Sequence, residues 1–159
     1  MYNNNFIYFY TNFIFFILIL YFYTNFIFFI LLYKINMNDI QKRFLLFLGG
    51  CIPVRITIAV IAMVVPLFLL RYLGFIALLP AFGFIYLFLT GGRKTGIETQ
   101  GAPIWWGELR FIHGLFYLAF SVYAINKNRH AYLFLIADVV FGLLMFLWHH
   151  YTADNFEKI

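Results

Sequence analysis

The ionisable side chains of this sequence are few enough to be weighed one by one: eleven Lys and Arg, six Asp and Glu, and four His in 159 residues. Three groupings could do chemistry. Glu108, His113, His149 and His150 combine a carboxylate with imidazoles, the residue types of general acid–base catalysis or of divalent-metal binding. Arg93 and Lys94 lie in the glycine-rich stretch 90–103 (TGGRKTGIETQGAP), between the end of one apolar run and the start of the next. Backbone N–H groups of such a loop, with a helix N-terminus, can hold a phosphate. The stretch is not a P-loop, because G-x-x-x-x-G-K-[ST] is not satisfied. Asp138 stands alone in an otherwise apolar run.

Each grouping has a plainer reading. The Glu and His residues fit a polar rim where membrane spans end in water, and 90–103 fits a juxtamembrane loop carrying positive charge, with headgroup contact by Arg93 and Lys94 as the sharper alternative. Catalytic roles are therefore not assigned, and Glu108, His113, His149 and His150 stay candidates only if the protein is an enzyme. No metal and no cofactor are expected. Depth argues against haem ligation: pairing the last two helices around residue 128 sets His113 against Leu143 and His149 against Gly107, so no two histidines share a level.

The elements that position these residues follow from composition. The chain is 65% hydrophobic, 24% aromatic and 11% charged, with a mean hydropathy of +0.89. A soluble domain has about 45–50% apolar and ~25% charged residues, so this is an all-α integral membrane protein. The formal charge of +5 is spread without the clusters of a nucleic-acid-binding surface. Cys51 is the sole cysteine, which excludes an intrachain disulfide.

Two regions are expected. In residues 1–36, Phe, Ile, Tyr and Asn fill 28 positions, and residues 8–18 (YFYTNFIFFIL) recur unchanged as 21–31. This resembles a translated AT-rich tandem repeat, and initiation at Met37 would leave it upstream. If translated, 6–33 is long enough for an extra N-terminal span. Residues 37–159 form the polytopic membrane domain, a four-span helical bundle with its core at 54–149. Spans are expected at 54–70, 72–89, 104–125 and 131–148, preceded by a short interfacial helix at 38–50 that Gly49-Gly50 and Pro53 should break. A rival partition places the first spans at 44–62 and 64–89, burying Arg55 and Arg71 deeper.

Lysine and arginine set the orientation. Lys34, Lys42, Arg43, Arg55, Arg93, Lys94, Arg110 and Lys158 fall on one side of the four-span arrangement, and Arg71, Lys127 and Arg129 on the other. The richer side, with the 90–103 loop and the C-terminus, should be cytoplasmic. Trp105, Trp106, Trp148 and Tyr151 fall at the same boundary, as an aromatic belt would. Three polar residues are expected inside the membrane: Arg55, Arg110 and Asp138. Asp138 lies ~12 Å along its helix from His130, so it should face the bundle and find a partner, with Arg71, Tyr117 or Ser121 nearest to hand.

The runs GIETQGAPIWWGELRFIHGLFY, LLFLGGCIPVR and ADVVFGLLMFLWHH resemble small polytopic membrane proteins encoded by large DNA viruses of algae and protists, over about residues 38–150. That resemblance implies a host internal membrane or a virion membrane, and no activity. The lipid bilayer is the expected partner, with anionic headgroups as specific contacts and a homo-oligomer allowed. The function read from all this is a non-enzymatic structural or membrane-organising protein. The alternative is a small membrane-embedded enzyme or carrier for a lipid-like substrate, acting through the polar cluster on the cytoplasmic face. Convergence of the polar side chains on one cavity would favour the alternative; dispersal around the rim would favour the first.

Overall fold

A computed structural model describes residues 37–96, 99, 101 and 103–159, with only the backbone of Lys158. The repeat and the span at 6–33 lie outside these residues, which begin at Met37. The chain divides into two units, Met1–Asn38 and Asp39–Ile159, and the second is described here. It is all-helical: α1 is Asp39–Val64, α2 Leu67–Thr90, α3 Leu109–Ile125 and α4 Tyr132–Thr152. Three helices are long and apolar enough to cross a membrane, and the shorter α3 is also apolar. The packing is inside out relative to a soluble bundle. Leu79, Leu89, Tyr86 and Leu144 are exposed, while Arg110, His113, Ser121, Asp138 and His150 are buried. An apolar perimeter around a partly polar centre requires a hydrocarbon solvent, which gives the protein a membrane location.

The first helix differs from the expected one. No interfacial helix ends at residue 50 and no span starts at 54: α1 runs from Asp39 to Val64 without interruption. Its middle, Leu46–Cys51, is a π segment closed by Ile52 N–H donating to Phe47 C=O. In a plain α-helix, Pro53 would clash with the carbonyl one turn earlier. The wider π turn, built over Gly49 and Gly50, accommodates the proline instead of ending the helix. The break falls at Val65-Pro66, where Val65 adopts ψ 149°, the extended geometry favoured before proline. The rival partition is thus nearer the observed one. Pro80, by contrast, sits inside α2 as a tolerated membrane-helix proline.

Sequence chemistry closes the other ends. Gly91 takes the left-handed conformation (φ 60°) that terminates α2. Between α3 and α4, Lys127 has φ 58° and the Asn128 side chain accepts from His130 N–H at 2.9 Å. Arg129 donates to the carbonyls of Met63 and Val65, placing a cation on the orphan carbonyls at the end of α1. At the opposite end, Gln41 donates to the Ile159 carbonyl and Arg43 to that of Thr99, so the start of α1, the 90–103 loop and the C-terminus lie together.

The helices pack in the order α2, α3, α4, α1. The α2–α3 seam is the tightest. A Cβ on Gly114 would lie 2.7 Å from Ile85 Cγ1, and one on Gly74 would lie 3.0 Å from Ala124 Cβ. In lipid, such close backbone approach replaces the hydrophobic effect as the main source of helix association.

Candidate functional site

At the end of the bundle where the 90–103 loop lies, the four helices leave a cavity of about 320 Å³. Ligand sites of about 300 Å³ upward are usual for small molecules. Arg43, Phe47, Cys51 and Arg55 of α1 form one wall, and Gly142, Phe146 and His150 of α4 the next. Leu109, Arg110 and His113 of α3 face them; α2 contributes Phe84, and the loop adds Arg93, Thr99, Trp105 and Trp106.

The polar core of this site is a triad drawn from three helices. Arg55 Nη1 donates to Asp138 Oδ2 at 2.8 Å, and His113 Nδ1 meets Asp138 Oδ1 in a short hydrogen bond. Asp138 is 1% exposed, so its charge could not persist without such partners. Because Arg55 donates to the same carboxylate, Asp138 is the shared acceptor and the proton of the short contact belongs on His113 Nδ1. The approach of Arg55 Nη1 to Nδ1 at 3.1 Å is then two donors crowding one carboxylate, not a third hydrogen bond. A histidine held this way by a carboxylate has a fixed tautomer, with the Nε2 lone pair left as an acceptor. The ring abuts α4 at Gly142, where an added Cβ would come 3.4 Å from His113 Cε1.

Of the partners expected for Asp138, neither Arg71 nor Ser121 pairs with it. Arg71 is exposed and lies over the Phe75 ring at 6.0 Å. Ser121 donates within its own helix, to the Tyr117 carbonyl at 2.8 Å. The error follows from α1: because that helix starts at Asp39 instead of 54, Arg55 lies sixteen residues into it, at the depth of Asp138. Arg55 is therefore an interior residue, not one of the boundary charges used to count orientation.

The four acid–base candidates are only partly brought together. His113 and His150 both line the cavity, while His149 stacks flat on Trp105, with ring centroids 4.2 Å apart. Glu108 is not beside either C-terminal histidine; it is exposed and borders a separate groove with Leu87, Gly91 and Lys94. The antiparallel depth argument matched levels and ignored azimuth, and Glu108 points around the far side of α3.

The loop, too, is built differently from a phosphate cradle. The buried Arg110 donates to the carbonyls of Gly92 and Arg93 at 2.7 and 2.8 Å, so this stretch presents oxygens inward. Gly96 and Thr99 bond each other, Gly101 N–H donates to Gly96 C=O, and Ile104 N–H donates to Lys94 C=O at 2.9 Å. Those amides are spent within the loop. Arg93 and Lys94 are exposed, and Arg93 borders both the cavity and the groove.

Sequence reasoning missed Arg43, Cys51 and the Trp105–Trp106 pair as cavity residues. Arg43 and Cys51 sit about three turns and one turn before Arg55 along α1, a helical alignment visible only once the helix is known to be continuous. Among the described residues, no group of three or more His, Cys, Asp and Glu could hold a metal ion. No family model, curated protein or solved structure matches this chain.

Proposed function

We propose that this protein is a multi-pass, membrane-embedded enzyme or carrier that takes an amphiphilic, lipid-like ligand into the cavity between its four helices. The single observation that carries this reading is that Arg55 and His113, the two partners of the buried Asp138, border an open cavity. A triad serving only as glue would be walled in by apolar side chains. Here His113 and Arg55 both border space large enough for a ligand's polar end and several methylenes. The gathering of His113, His150 and Arg55 on one cavity is also what separates this reading from a purely structural bundle.

A structural or membrane-organising role is the second reading, favoured by the glycine-sealed α2–α3 seam and by the displacement of Glu108 and His149 from the cavity. Under either reading we place the C-terminus and the 90–103 loop in the cytoplasm, on the lysine and arginine count and the tryptophan belt. On the resemblance to viral polytopic proteins we place the protein in a host internal or virion membrane, with the bilayer as the partner in both cases.

Native mass spectrometry after extraction into lipid nanodiscs tests the proposal. The wild-type chain should retain one amphiphile after collisional release of bulk lipid, and Gly142→Leu, which fills the cavity beside His113, should lose it while staying folded. Equal, non-specific lipid retention by both proteins would leave only the structural reading.

A further inference from the structure

We infer that the mouth of the cavity is an oxyanion site centred on Arg43, so that the ligand carries a phosphate-class or carboxylate-class headgroup. This rests on the cavity reading above and adds the chemical class of what it binds.

Arg43 Nη2 donates to the Thr99 carbonyl at 3.1 Å. Its Nε–H, however, is buried and has no hydrogen-bond partner among the described residues. Buried donors are almost always satisfied, because leaving one bare costs the whole desolvation of the group. Arg43 lines the cavity, and an orphan N–H on a cavity-lining side chain is one whose acceptor a ligand can supply once the side chain turns toward it. A second donor stands on the same wall. Asn155 Nδ2 donates to His150 Nδ1 at 2.8 Å, which places the proton of the neutral His150 ring on Nε2. His150 is 2% exposed and lines the cavity with Arg43. Arg43 and His150 thus bring two N–H donors to one cavity, one of them on a permanent cation, the elements of a site for a negatively charged oxygen. A headgroup bearing its own ammonium would bring a cation beside Arg43 and is disfavoured.

Depth separates this site from the triad. Arg43 and Arg55 are twelve residues apart on α1, roughly 18 Å at 1.5 Å per residue. An oxyanion at Arg43 therefore lies at a different level of the cavity from the triad. An elongated ligand can occupy both levels, its anionic end at the mouth and its body along Phe47 and Phe146, which stack with centroids 4.0 Å apart.

The test is isothermal titration of the full chain in detergent with three probes: dihexanoyl phosphatidic acid, dihexanoylglycerol and inorganic phosphate. Phosphatidic acid should bind roughly tenfold or more tightly than the neutral glyceride, the gain expected of a charge-assisted hydrogen bond. Arg43→Gln should remove that preference, bringing the affinity for phosphatidic acid down to that for the glyceride. Arg43→Lys, which keeps the charge but lacks the Nε–H, should recover only part of it. Binding of inorganic phosphate in competition with the lipid would assign the site to free phosphate as well; failure to compete would restrict it to a lipid headgroup. Equal affinity for acid and glyceride, or full affinity in Arg43→Lys, overturns the oxyanion site and leaves the cavity reading standing. Binding of neither lipid overturns the cavity reading itself. Should Arg43→Gln not fold, the wild-type comparison and Arg43→Lys decide the question.

Discussion

Asp138 shows how a single carboxylate can organise a membrane interior. Transferred alone into hydrocarbon it costs about 2.5–3.5 kcal/mol on insertion scales, and here Arg55 and His113 offset that cost from two other helices. Asp138→Asn keeps an acceptor for one of them and should lose under about 1 kcal/mol, whereas Asp138→Leu strands both and should lose roughly 1–2 kcal/mol. Combining Arg55→Met with Asp138→Leu should cost less than the sum of the single changes by ~1 kcal/mol, because neither charge is then left bare. Reversible unfolding in mixed micelles reads these differences. Simple additivity of the pair would mean that the 2.8 Å contact carries no coupling.

Among the elements, α1 and the α2–α3 seam carry the architecture. The π segment lets α1 pass Pro53 and so brings Arg43, Cys51 and Arg55 to one cavity. Glycine positions on the seam are not equivalent. Gly114→Ala would set a methyl 2.7 Å from Ile85 Cγ1 and 3.1 Å from the Ala81 carbonyl, so it should destabilise by about 1–3 kcal/mol. Gly83, in the same helix pair, has nothing within 4 Å of an added Cβ. Gly83→Ala should be neutral or stabilise by about 0.5–1 kcal/mol through helix propensity. Thermal aggregation midpoints of the two variants give the comparison; equal losses would show that the seam is not close-packed. Arg129→Gln should cost ~1 kcal/mol, having removed the cation from the Met63 and Val65 carbonyls.

For the whole molecule, the prediction is topological. The start of α1, the 90–103 loop and the C-terminus share one end, and the 126–130 turn the other. In a Cys51→Ala background, a cysteine at Lys94 should react with an impermeant maleimide from the cytoplasmic side only, and one at Lys127 from the opposite side only. Labelling of Lys127→Cys from the cytoplasm would invert the orientation. It would leave the packing untouched, since nothing in the helix contacts depends on which way the bundle is inserted.

Composition alone determined the solvent. With 11% charged residues the chain cannot cover itself in polar surface, so membrane class and helical structure follow without reference to any contact. The need for Asp138 to face inward was equally local, because the penalty depends on depth and charge and not on who the neighbour is. The partner was a different matter. Which cation reaches Asp138 depends on where α1 starts, and that turned on whether Gly49-Gly50 and Pro53 break a helix or widen one turn of it. Both outcomes satisfy the local rules, and packing against α4 selects between them. The cavity is still further from the sequence. Arg43, His113 and His150 are separated by up to 107 positions, and only the azimuth of each helix, set by which glycines and alanines allow close approach, aims them at the same space while turning Glu108 away.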